Sequence, residues 1–93
     1  MEKYLPLGSV VLLRGGKKRV MIFGRRLRDA ESGRSWDYVA CPFPEGSMGD
    51  DYTYLFDQAQ VERIFFLGLQ DDEEMLYQDV LAEFTAPEPA EDT

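Results

Sequence analysis

LPLGSVVLLRGGKKRVMIFGRR, residues 5–26, decides the fold class. Val10, Val11, Leu12 and Leu13 form an aliphatic, β-branched run of strand length. Gly15-Gly16 supplies the positive φ angles that a tight hairpin turn needs. Val20, Met21, Ile22 and Phe23 then return as a second strand, over Arg19–Gly24. Both runs are apolar at consecutive positions, which predicts strands covered on both faces, as in a small bent sheet or barrel. Pro6 suits a strand entrance, because proline cannot donate to the ladder.

Working outward, Arg25–Ser35 is polar, contains Gly33 and reads as a loop or wide hairpin connection. Trp36–Phe43 is a third strand, with Trp36, Tyr38 and Ala40 on one side and Asp37, Val39 and Cys41 on the other. Pro42 and Pro44 end it or place it on an edge. A turn-rich loop, Pro44–Asp51, leads to a fourth strand over Tyr52–Phe56. Asp57–Gln60 reads as one helical turn capped by Asp57, and Val61–Leu67 as a fifth strand closed by Gly68. Asp71–Glu74 opens a helix, its acids matching the positive end of the helix dipole. Leu76, Val80 and Phe84, spaced by four and flanked by Tyr77 and Leu81, predict an apolar stripe that packs on the sheet. The expectation is an α+β domain: a small, strongly bent antiparallel sheet or partial barrel of about five strands with one C-terminal helix. It spans residues 1–84. Residues 85–93, TAPEPAEDT, read as an acidic, proline-containing disordered tail.

Ninety-three residues suffice for one domain with a modest core. The longest apolar runs, Val10–Leu13, Val20–Phe23 and Ile64–Leu67, are far short of the roughly 20 residues that span a bilayer. Met1–Tyr4 is followed by no signal-peptide pattern, so a cytoplasmic address is expected. One cysteine, Cys41, permits no intramolecular disulfide and fits a reducing compartment. The net charge of −8 conceals a split. Residues 1–40 carry nine bases and four acids, a net +5; residues 41–93 carry one base and fourteen acids, a net −13. Such a chain either pairs its halves or shows partners two faces of opposite sign.

Catalytic and metal chemistry find little purchase. The chain has no histidine, hence no common general base and no usual triad. Cys41 lies among apolar strand residues, where it reads as a small buried hydrophobe, and a zinc site needs more ligands than it can supply. Asp71–Glu74 lacks the alternate spacing and central glycine of a calcium loop. Asp50 and Asp51 lie in a turn that already favours aspartate, which makes them the weakest basis for an enzyme. Gly15-Gly16-Lys17-Lys18 lacks the frame and following helix of a phosphate loop. No catalytic residue, cofactor or metal is assigned. Two features remain. Arg25, Arg26 and Arg28 with nearby Trp36 form a basic and aromatic patch, suited to an acidic protein surface or to a nucleic-acid backbone. Tyr52 and Tyr54, with Trp36, form a set of aromatics that serves either the core or an interface.

The full pattern also includes Gly8-Ser9-Val10-Val11, Gly15-Gly16, Val20-Met21-Ile22 and Gly24, then Asp37-Tyr38-Val39, Pro44-Glu45-Gly46, Tyr54-Leu55-Phe56 and Ile64-Phe65 followed by Gly68. In this combination, over roughly residues 5–75, the chain resembles the Gram-positive bacterial family of domain-of-unknown-function 4176. That family has no established catalytic residues to carry over. Its members are often encoded beside LXG-type polymorphic toxins and small helical partners of the type VII secretion system. The resemblance therefore implies an adaptor or chaperone for toxin export, with an LXG toxin or its helical companion as partner.

The resulting expectation is a non-enzymatic protein-binding module that engages its partner through Arg25, Arg26, Arg28, Trp36, Tyr52 and Tyr54. The alternative is a small barrel-like nucleic-acid-binding domain using the basic N-terminal half, a reading opposed by the net charge. No membrane association is expected, and self-association through an exposed sheet edge stays open.

Overall fold

The computed structural model describes residues 4–83. Five strands form one antiparallel sheet in the order β4-β3-β2-β1-β5. They are β1 (Val10–Leu13), β2 (Val20–Arg28), β3 (Ser35–Pro42), β4 (Tyr54–Phe56) and β5 (Val61–Phe66), followed by helix α1 (Asp72–Glu83). The sheet is open, with β4 and β5 at its edges. The predicted tail lies outside the described residues. No helix among the described residues is long and apolar enough to cross a membrane.

The hairpin forms where the sequence places it. Val10 pairs with Met21 and Val11 with Val20, Gly15 takes a φ of 75°, and the Gly16 N–H donates to the Leu13 carbonyl at 2.9 Å. The second strand is longer than its apolar run. Ile22 pairs with Ala40 but Gly24 with Val39, so Phe23 is an extra residue. Such a bulge bends a strand and increases its twist. Beyond it, Arg25 pairs with Tyr38, Leu27 with Trp36 and Arg28 with Ser35. The expected loop over Arg25–Ser35 is therefore strand for its first four residues; only residues 29–34 turn. Backbone pairing with β3 overrides side-chain polarity here, because an antiparallel ladder needs one buried face at most. Tyr52 likewise lies in a 3-10 turn, Asp50–Tyr52, rather than in the fourth strand.

The core is built on one face of the sheet from Leu5, Val11, Val20, Ile22, Tyr38, Ala40 and Phe56. Tyr38 is fully buried against Phe56, with ring centroids 5.4 Å apart. Its hydroxyl accepts a hydrogen bond from the Leu5 N–H at 2.8 Å and donates one to Gln58 Oε1. A buried phenol must find partners in this way, because an unpaired one forfeits its hydration. Burial, opposed by the bond from Leu5, pushes the Tyr38 phenol up from 10.0 to about 12. The folded state thus holds this proton more tightly than the unfolded chain does. The resulting stabilisation is complete below pH 10 and is lost as the pH rises through about 12. An ultraviolet titration should show a late tyrosine phase near pH 12, together with unfolding in that window. Tyr38→Phe should remove the late phase and cost about 1–3 kcal/mol, the usual loss when a buried donor such as the Leu5 N–H is stranded.

Helix α1 does not dock as its apolar spacing predicts. Leu76 is 69 % exposed and Val80 52 %; Phe84 lies outside the described residues. The N-terminal segment already covers the core face: Leu5 is part of the core, and Tyr4 stacks edge-on to Tyr38 at 6.0 Å. The helix docks on that segment instead, and its contacts are polar. Gln78 accepts from the Tyr4 N–H at 3.0 Å and donates to the Tyr4 carbonyl at 2.7 Å, much as a neighbouring strand would. Glu74 takes a bidentate pair from Arg25 at 2.5 and 3.0 Å, and Arg25 also donates to the Leu5 carbonyl at 3.3 Å. Leu81 is the one buried apolar residue of the helix. Asp71 Oδ1 accepts from the Glu74 N–H at 2.9 Å and caps the first turn.

Candidate protein-docking surface

Packing the core on one face leaves apolar side chains elsewhere exposed among the described residues. The concentration is greatest along β5 and the segment that follows it. Ile64, Phe65, Phe66, Leu67 and Leu69 are 43 to 75 % exposed. Isolated exposed apolar residues need no explanation, but a run on an edge strand does.

β5 carries this run because of its register on β1. Val10 pairs with Phe66 but Val11 with Ile64, so Phe65 is an extra residue. The bulge lets two adjacent phenylalanines face one groove, which strict alternation forbids. The groove measures about 430 Å³ and is lined by Val10, Arg19, Met21, Phe43, Phe65 and Phe66. Arginines lie against its aromatic rings. The Arg19 guanidinium is 5.2 Å from the Phe43 ring centre and 5.7 Å from that of Phe65, and Arg63 is 4.7 Å from Phe65. At these distances the cation is attracted to the ring face, and both arginines are exposed residues. The ion pairs among the described residues are Lys18–Glu45, Arg25–Glu74 and Arg34–Asp57, so neither Arg19 nor Arg63 is matched to a carboxylate there.

A second apolar stretch follows on α1, where Met75, Leu76, Tyr77 and Val80 are exposed. Its surroundings are acidic: Asp71, Asp72, Glu73, Asp79 and Glu83 are all exposed. The molecule therefore presents a cation-flanked aromatic groove on the sheet and an acid-flanked apolar helix.

The residues singled out from the sequence do not form one site. Arg25 is the helix clamp, its side chain 4 % exposed. Arg26, with a φ of 52°, donates to the Tyr4 hydroxyl at 2.8 Å and lies 5.6 Å from that ring. Arg28 ends β2 at the surface. Trp36 is half-buried at the same end, with the Arg34 guanidinium 3.7 Å from its ring. Tyr54 pairs with Ala40 nearer the other end of β3 and packs on the core, whereas Tyr52 is 52 % exposed. Asp50 and Asp51 are exposed in their turn, and no group of three metal-ligating residues exists among the described residues. Cys41 is buried, as the sequence indicates. Sequence reasoning missed Arg19, Phe43, Arg63, Phe65 and Phe66. The only available signal was the apolar run Ile64–Leu67, which reads equally well as a covered central strand.

A family model described as Domain of unknown function (DUF4176) matches residues 4–76. The chain belongs to the DUF4176 family. The match takes in all five strands and the start of α1, so the β5 groove and the Arg25–Glu74 clamp both fall inside the DUF4176 domain. No curated protein and no solved structure matches the chain.

Proposed function

We propose that this DUF4176 domain is a non-enzymatic protein-binding module that acts in the cytoplasm as an adaptor or chaperone for export of an LXG-type toxin by the type VII secretion system. The observation that carries the binding role is the uncovered apolar run on β5, with Phe66 60 % exposed beside a groove edged by arginines. Such surface is costly to leave in water and becomes favourable when a partner covers it. The toxin context comes from the company that members of the family keep. Tyr52, at the surface, is placed to widen the contact.

The test is co-expression of the tagged chain with the LXG toxin of its own gene cluster, followed by size-exclusion chromatography at low and moderate salt. A stoichiometric complex that persists at moderate salt is expected. A chain that elutes alone under both conditions would overturn the reading. Nucleic acid retained at low salt and released at moderate salt would favour the alternative, since phosphate contacts are lost as salt rises.

A further inference from the structure

The geometry points to β-strand addition at the outer edge of β5: an extended partner segment that alternates apolar and acidic residues joins the sheet as a sixth strand. This deepens the protein-binding reading above and rests on it. Three observations converge. β5 is an end strand, so among the described residues its outward backbone N–H and C=O groups have no neighbouring strand. Main-chain bonds to such an edge give affinity, and pockets for alternate side chains give specificity. The 430 Å³ groove opens beside this strand, running inward from Phe65 and Phe66 over Val10 and Met21 to Phe43, so an apolar side chain of the added strand on that face would meet Phe65 and Phe66 at the groove's outer end. The Arg19 and Arg63 guanidinium groups lie 5.7 and 4.7 Å from the Phe65 ring centre, and both residues are exposed and matched to no carboxylate among the described residues.

Charge decides the occupant. Arg19 and Arg63 are exposed beside the groove and make no ion pair among the described residues, while Lys18 is already paired with Glu45. Glu62 is the only acid on β5, and it pairs with neither arginine. An incoming carboxylate therefore meets a net positive edge on a molecule whose overall charge is −8. A second copy of the chain suits the edge less well. A two-fold contact puts the same patch on both sides, so it brings more of the same cations instead of the counter-charge they lack.

The probe is a capped nine-residue peptide of alternating valine and glutamate, compared with one of alternating valine and lysine. Binding is followed by fluorescence anisotropy, and β5 amides by hydrogen exchange. The valine–glutamate peptide should bind at least tenfold tighter and protect the amides of residues 61–66. The double variant Arg19→Glu/Arg63→Glu, altered only at exposed side chains, should reverse that preference. Equal affinity for the two peptides, or binding without β5 protection, would overturn the assignment. So would a peptide-free dimer with protected β5 amides, which would give the edge to a second copy. The two readings fail separately. Loss of the toxin complex in co-expression sinks the adaptor role and leaves the peptide result standing. A toxin complex unaffected by the double variant sinks only the β5 assignment.

Discussion

Gly68→Ala is expected to lower the stability of the domain by about 3 kcal/mol or more, the upper end of overpacking costs. A Cβ at this position would stand 2.0 Å from the Leu7 carbonyl oxygen, 2.9 Å from its carbon and 3.2 Å from the Ser9 nitrogen. All three neighbours are main-chain atoms, so no side chain can swing aside; the N-terminal segment itself must move. That segment carries Leu5 into the core and Tyr4 onto α1. The same approach lets the Gly68 N–H donate to Ser9 Oγ at 3.0 Å, while Ser9 donates to the Pro6 carbonyl at 2.7 Å. Ser9 is fully buried, so these bonds are shielded from water. For a domain of this size the loss should lower the melting temperature by on the order of 15 °C. Ser9→Ala makes a useful comparison, because it removes the hydroxyl without a clash. Denaturant midpoints of the two variants measure the difference, and a Gly68→Ala midpoint equal to that of the parent would refute the close approach.

The second large effect concerns the helix clamp. Arg25 and Glu74 have side chains 4 and 12 % exposed and share two hydrogen bonds. Removing one member of a buried pair strands the other and commonly costs about 3–5 kcal/mol. Arg25→Met is expected to approach that range and to release α1 from the sheet, seen as fast hydrogen exchange over residues 74–83. Arg25 also stacks on Tyr77 at 5.4 Å, so truncation removes packing as well as charge. The double variant Arg25→Met/Glu74→Leu leaves no stranded charge, and it should recover much of the loss. Acid gives an independent readout. The hydrogen bonds from Arg25, aided by Gln78 and opposed by burial, hold the Glu74 carboxyl below its ordinary value of 4.5. The unfolded chain therefore takes up this proton first. The stabilisation is complete above about pH 4.5 and is lost as the pH falls through the folded-state value. In Arg25→Met that acid limb should flatten. A limb of unchanged slope would mean that Glu74 is not what the clamp holds.

What the chain dictates locally, it dictates well. The Val10–Leu13 and Val20–Phe23 runs around Gly15-Gly16 specify a hairpin, because strand propensity and turn geometry act over a few neighbouring residues. The turn at Asp57–Gln60 forms for the same reason, with the Asp57 N–H donating to Gln60 Oε1 at 2.9 Å. The strand count, the closing role of Gly68 and the burial of Cys41 also follow from composition and punctuation.

Tertiary structure decided the rest. Arg25–Arg28 read as loop because they are polar, yet they pair with β3, since an edge-on ladder needs backbone partners rather than apolar side chains. The apolar spacing of α1 indicated a stripe against the sheet, but the core face was already occupied by Tyr4 and Leu5. Three polar side chains, Arg25, Glu74 and Gln78, took over the docking, and hydrogen-bond geometry of that kind leaves no periodic trace in a sequence. Arginines that looked available for a partner were thereby drawn inside. Most decisive is the position of β5. Its apolar run alone fits a covered strand as well as an open one. Only its pairing with β1, across about fifty residues of chain, places it at the rim and turns Phe65, Phe66 and their two neighbouring arginines into a surface. Sequence fixes which segments can be strands because that choice is local; which strand lies at the edge depends on contacts between residues far apart in the chain, and the binding surface follows from it.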